Sequence, residues 1–202
     1  NLGSVIQNAP TVAEGLVLAG ADWEVEKKSM YFTNAEGVQV NMDAFQKAMV
    51  RKDNGVILGT VGPKTEILQN KDAFNFFDPI IESGEATLET AGVLDEGRKI
   101  WVMAKAKLDP FVIATGDEVL SYVLLSNSHD GTMAVRVGFT PIRVVCANTL
   151  AIAHGAKDSQ LIRVRHSRKV KENLSNIRDV MKIAEASFQA TAEQYKLLAT
   201  RN

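Results

Sequence analysis

The run Glu85-Ala86-Thr87-Leu88-Glu89-Thr90-Ala91-Gly92-Val93-Leu94, followed by Asp95-Glu96-Gly97 and then by Lys99-Ile100-Trp101-Val102-Met103-Ala104-Lys105-Ala106-Lys107, decides the fold. Both runs are strand-like, and the acidic step ending in Gly97 is turn chemistry, so they read as an antiparallel pair. A second pair follows, Val119 to Ser126 and Met133 to Phe139, joined by Asn127-Ser128-His129-Asp130-Gly131. Thr140-Pro141 then predicts the start of a helix, because Thr caps well and Pro is tolerated at the first helical position. This helix passes Val144, Val145, Thr149 and Ile152 and stops at Gly155.

Upstream, Thr11 to Gly20 reads as a short helix, with Glu14 three positions after the capping Thr11. Trp23-Glu24-Val25-Glu26 alternates apolar and charged residues. Met30-Tyr31-Phe32 and Val38-Gln39-Val40 flank the turn Asn34-Ala35-Glu36-Gly37, and Ala48 to Arg51 and Val56 to Val61 flank Asp53-Asn54-Gly55. Both are predicted hairpins. Thr65 to Leu68 reads as a further short strand, and Lys71 to Ser83 as a helix broken or kinked near Pro79. Downstream, Gln160 to Arg165 alternates like a strand. From Ser167 to Thr200 the apolar residues Val170, Leu174, Ile177, Val180, Met181, Ala184, Phe188 and Leu197 recur at helical spacing without Gly or Pro. That predicts an amphipathic helix of about nine turns. The class is α+β: an antiparallel sheet with a strand-strand-strand-helix core, N-terminal hairpins and a long C-terminal helix. Residues 1–156 form the α+β domain, with 84–156 as its core, and 157–202 the basic segment and long helix.

With 202 residues, 46% of them hydrophobic, the chain can bury a core without metals or disulfides. The single Cys146 excludes an intramolecular disulfide and suits a reducing, cytoplasmic setting. No apolar run approaches the roughly 18 residues needed to cross a bilayer. The opening Asn1-Leu2-Gly3-Ser4-Val5-Ile6 lacks the pattern of a secretory signal, and without an initiating Met it implies a natural start further upstream. Net charge is -1, unevenly spread: residues 157–202 carry ten Lys/Arg against five Asp/Glu, which leaves the rest acidic by six. A basic segment on an acidic body fits either a polyanion partner or a solvated helix face.

The stretches Phe74-Asn75-Phe76-Phe77-Asp78-Pro79, Glu89-Thr90-Ala91-Gly92 and Leu124-Leu125-Ser126-Asn127-Ser128-His129-Asp130-Gly131 resemble blocks of the family known as domain of unknown function 932. So do Val135 to Leu150, Ala21-Asp22-Trp23-Glu24-Val25 and Leu58-Gly59-Thr60-Val61-Gly62. The resemblance runs from about Val5 to His166. It implies a setting on phages, prophages and plasmids. Over Glu85 to Gly155 the order of elements also resembles the core of single-strand annealing proteins, the Rad-type mediators and the RecT-like or Beta-like recombinases. That second resemblance implies single-stranded DNA binding and annealing.

An annealing protein must hold single-stranded DNA by its phosphates, which calls for Lys and Arg along a groove, with aromatic platforms as an option. Period two places Trp101, Met103, Lys105 and Lys107 on one face. That face is open to two readings, a phosphate track or a core strip with lysines emerging at its end. Arg136 stands opposite Val135, Val137 and Phe139 in strand parity, on the more polar face. Arg143 falls in the first turn of the predicted helix, where free N–H groups favour anions. Pairing of these two arginines with Asp130 or Glu118 is the alternative to a phosphate clamp. Arg163 and Arg165 head the densest basic cluster, with His166, Arg168, Lys169 and Lys171. The predicted nucleic-acid contacts are thus Arg136, Arg143, Arg163, Arg165, Lys105 and Trp101.

Enzyme chemistry finds little support. Cys146 lies in an apolar stretch and reads as a buried thiol. His129, Asp130, His154 and His166 have no recognised metal-ligand spacing, and no nucleotide-binding or hydrolase motif is present. The expectation is a non-enzymatic, cofactor-free and metal-free protein that binds and anneals single-stranded DNA without ATP in homologous recombination. It would act as a homo-oligomer and without a membrane. The alternative is an accessory module of a mobile element that docks on a host protein.

Overall fold

The computed structural model describes residues 2–9, 11–107, 111–112, 118–119, 121–157 and 159–181. The chain opens with β1 (Ser4–Val5) and α1 (Val12–Leu18), then β2 (Val25–Ser29), β3 (Tyr31–Thr33), β4 (Gln39–Asn41), β5 (Lys47–Arg51) and β6 (Ile57–Val61). Next come α2 (Asn70–Asn75), α3 (Asp78–Glu82), β7 (Ala86–Leu94), β8 (Lys99–Ala106) and the two-residue strands β9 (Phe111–Val112) and β10 (Glu118–Val119). Then follow β11 (Tyr122–Ser128), β12 (Val135–Thr140), α4 (Ala147–Gly155) and β13 (Gln160–Val164), and a helix α5 over 170–181.

The predicted α+β class holds, with an antiparallel six-stranded sheet in the order β1-β7-β8-β11-β12-β13. Local chemistry forms its parts as expected. Thr11 Oγ1 accepts the Glu14 N–H at 3.2 Å and so caps α1. Both predicted hairpins form, β3 with β4 and β5 with β6. Gly55 turns the second at φ +74°, a conformation that glycine adopts without steric cost. Pro79 sits at the start of α3, so the predicted 71–83 helix is two short ones.

Both sheet faces are covered. On one, Ile100, Val102, Val123, Leu125, Val135 and Val137 pack with Leu16, Phe74, Phe77 and Ile80 from α1 to α3 and with Val170, Leu174 and Met181 from α5. On the other, Trp101, Met103, Tyr122 and Leu124 pack under Val144 and under Leu150 and Ala153 of α4. This is why β8 and the first half of β11 read as nearly unbroken apolar runs; all of β11 is buried, and its polar second half, Ser126 to Ser128, is hydrogen-bonded.

Two expectations need correction. Thr65 to Leu68 is not a strand. It is an irregular segment whose Glu66 N–H donates to the His166 carbonyl at 2.9 Å and whose Leu68 side chain is buried. The helix predicted at Thr140 starts at Ala147 instead. After a bend at 141–142 the backbone of 144–146 is held by distant partners: Thr90 Oγ1 donates to the Val144 carbonyl at 2.5 Å, the Gly3 N–H donates to Val145 O at 2.8 Å, and Leu2 bridges to Cys146. Thr149 then caps α4, its Oγ1 accepting the N–H groups of Val145 (2.9 Å) and Cys146 (3.0 Å). The predicted helix from Ser167 is present as α5 over 170–181, and its continuation to Thr200 lies outside the described residues.

Candidate nucleic-acid interface

One cross-strand row on the α4 side of the sheet runs Gly92, Trp101, Ser126, Arg136, Arg163, through β7, β8, β11, β12 and β13. It grades from fully apolar to fully charged. At the apolar end a Cβ on Gly92 would meet the Trp101 ring at 2.1 Å and one on Gly3 would meet it at 2.3 Å, so the indole fills space left by both glycines. Trp101 is completely buried. It therefore cannot stack on a base, and the expectation of a Trp101 platform is corrected to a core residue.

At the charged end Arg136 and Arg163 are direct partners on adjacent antiparallel strands. Like charges directly opposite one another cost stability. Partial burial, and the nearby Arg163 charge, pull the Arg136 guanidinium below its usual range. Its Nε is buried without a hydrogen-bond partner, and neither arginine forms an ion pair among the described residues. The strands here are clasped tightly: a Cβ on Gly138 would lie 2.0 Å from the Gln160 carbonyl oxygen.

His154, in the last turn of α4, lies over this row. Its Nε2 is 2.9 Å from Ser126 Oγ. Burial, with the positive charges of Arg136, Arg163 and Lys99, holds its pKa down at about 4. Ser126 is fully buried, so this pair does not present a nucleophile to solvent. Beyond β13, Arg165 is exposed and borders, with Arg163, an open groove of about 510 Å³ between the sheet edge and α5. Asn173 and Asn176 add amide groups to its wall, and Ile162 and Ile177 apolar surface. Lys171 is held by Asp72 at 2.8 Å, whereas exposed Arg168 makes no ion pair among the described residues.

Thus the fold brings together Arg136, Arg163 and Arg165 and separates the others. Arg143 is not at a helix N-terminus: its Nε donates to Glu89 Oε1 at 2.5 Å, and Gln7 Nε2 donates to the other oxygen at 2.7 Å. Glu89, almost fully buried on a β-bulge in β7, needs that cation. The clamp expected of Arg143 is therefore a structural ion pair, with Glu89 as partner and not Asp130 or Glu118, the latter's side chain lying outside the described residues. Lys105 is half-buried and four residues along β8 from Trp101, about 13 Å from the row. It lies off the basic edge.

Sequence reasoning weighed His154 only for enzyme chemistry and passed over Lys99, and no periodicity ties either to Arg136. Cys146 is half-buried at the N-cap of α4 and not inside a helix, and the Thr149 N–H lowers its thiol pKa. The histidines go separate ways: His129 to Asn70 Oδ1 at 2.8 Å, His154 to Ser126, and His166 Nδ1 to the Glu66 carbonyl at 3.2 Å. Among the described residues no cluster of three His, Cys, Asp or Glu could hold a metal, and no helix is long and apolar enough to cross a membrane.

Residues 57–202 match the family described as Domain of unknown function (DUF932). The match takes in the basic segment past His166 and leaves out the residues before Ile57, shifting the expected span of about Val5 to His166 towards the C-terminus. No curated protein and no solved structure matches the chain.

Proposed function

The chain belongs to the DUF932 family, and from that premise we propose that it binds single-stranded DNA through phosphate contacts on the β12–β13 edge and promotes annealing without ATP. The observation that carries this reading is the Arg136–Arg163 pair, two cations held opposite each other at a cost and without a carboxylate partner among the described residues. A polyanion supplies the missing counter-charge and releases its own condensed ions in doing so. Arg165 extends the track along the groove beside α5, and exposed Arg168 follows it in the chain. With Trp101 in the core, the strand is held by its backbone and its base edges stay available for pairing. Binding is charge neutralisation plus alignment, with no covalent step. A single edge reaches few phosphates, so the working unit is a homo-oligomer that lines up several edges.

The test is fluorescence anisotropy of a labelled oligonucleotide across a salt series. Changing Arg163 and Arg165 together to Ala lowers the slope of log affinity against log salt by about one to two units, at about 0.7 per phosphate contact on a single strand. An unchanged slope removes both residues from the interface, and no binding by folded protein at low salt removes the reading.

A different surface favours a second reading, docking on a protein. The β3–β4 ribbon and its neighbourhood expose Tyr31, Phe32, Val38 and Phe45, the last at 75%. Exposed apolar patches of this kind mark interaction sites. If it is the working surface, Phe32→Ser with Phe45→Ser abolishes partner capture and leaves oligonucleotide binding untouched.

A further inference from the structure

The His154 ring is hydrogen-bonded to Ser126 of β11, whose neighbours in the cross-strand row are Arg136 on β12 and then Arg163 on β13. The charges of both arginines and of Lys99 on β8 act on the ring. The Ser126 hydroxyl suits either state of the ring, since it can donate to a neutral Nε2 or accept from a protonated one. The three cations do not: with no anion present, they oppose a fourth positive charge. The place where those charges converge is therefore one where a single oxyanion and a proton favour each other. Such reciprocity between two bound species is thermodynamically obligatory.

We infer that Arg136, Arg163 and His154 form a discrete site for one tetrahedral oxyanion, a phosphodiester or a small free anion, and that filling it protonates His154. The inference rests on reading this edge as anion-binding but adds a named third member and a coupled proton. Without an anion His154 is neutral down to about pH 4; with an oxyanion between the guanidinium groups it takes up a proton in the mildly acid range. The arginines of the basic track do not have this property, because arginine stays charged throughout the accessible range.

The probe is an oligothymidylate, whose bases and phosphates do not titrate between pH 5.5 and 7.5. If the anion returns His154 to its ordinary value, wild-type binding is about tenfold tighter at pH 5.5 than at 7.5. His154→Gln, which keeps an amide against Ser126, loses that gain. NMR of the His154 ring gives a second readout on the wild-type protein. Sodium sulfate, whose charge is constant over this range, raises the midpoint of the His154 titration.

Equal wild-type affinity at both pH values, with no movement of the ring midpoint in sulfate, overturns the site and leaves the single-strand reading standing. A gain that persists in His154→Gln also overturns it, by placing the proton elsewhere. No oligothymidylate binding at either pH, with a sulfate-dependent midpoint, supports the site for a small free anion and ends the annealing reading.

Discussion

Near the β1–β7 edge of the sheet Arg143 donates to Glu89 at 2.5 Å, and Gln7 holds the same carboxylate from the other side. Near the opposite edge Arg136 faces Arg163, and neither has an ion-pair partner among the described residues. The same residue type is thus used twice in one sheet, once to neutralise a buried charge and once to leave a charge unneutralised. The first use contributes to the stability of the fold. The second subtracts from it, a cost that the anion binding proposed above would offset. Charge counting could not distinguish the two, since both arginines sit in the same strand-loop stretch, eleven and four residues before α4.

This contrast can be broken at several points. The largest expected effect is in the apolar part of the row: Trp101→Ala costs about 4 kcal/mol of stability by leaving a cavity beside Gly92 and Gly3, read from urea unfolding. The folded fraction keeps the wild-type salt slope for oligonucleotide binding. A changed slope would return Trp101 to the interface. Next, Arg143→Met strands Glu89 as an unpaired buried carboxylate and costs about 3 kcal/mol, again without altering binding by folded protein. Loss of binding with wild-type stability would reverse the assignment of that arginine.

Acidification follows. His129 is buried, and Asn70 gives its amide protons to the Ala21 and Trp23 carbonyls, so Asn70 Oδ1 accepts from His129 Nε2–H and the ring stays neutral. Burial holds its pKa at about 4 against an ordinary 6.5. The unfolded chain therefore takes up this proton first as pH falls. The stability contributed is full above pH 6.5, declines down to pH 4, and falls little further from this group below that, a loss of roughly 3 kcal/mol. A urea midpoint that does not move over that window would mean the ring is not held neutral. The smallest effect has the opposite sign: Arg136→Met relieves the like-charge pair and stabilises by about 0.5 kcal/mol while weakening oligonucleotide binding. Destabilisation instead would show that Arg136 is anchored by contacts of its own.

Much of the fold was legible because local chemistry and tertiary structure agree there: the Asn54-Gly55 turn, the Thr11 cap, the break at Pro79, the paired runs on either side of Gly97. What was not legible depends on partners distant in sequence. Thr140-Pro141 carries a good helix start, but Gly3 and Thr90 hold the backbone at Val144 and Val145, and Thr149 becomes the cap. Likewise parity grouped Trp101 with Met103 on one face of β8 and set Arg136 opposite Val135 and Val137 on β12, yet parity is silent about which faces coincide and about α4 covering Trp101. Of the site, Arg163 and Arg165 were visible as a charge cluster. His154 was not, because only the fold carries it over the β12–β13 row.

The clasp at Gly138 bears on that row from two residues away along β12. With the Gln160 carbonyl where a Cβ would be, the last two strands have no slack, and a side chain of any size there would lever β13 outwards. The separation of the two guanidinium groups is accordingly a machined tolerance, set by a hydrogen atom in a neighbouring row and not by the arginines themselves. Spacing and charge at this edge are independent variables, and a chain could lose its grip on an anion through the first while every cation remained in place.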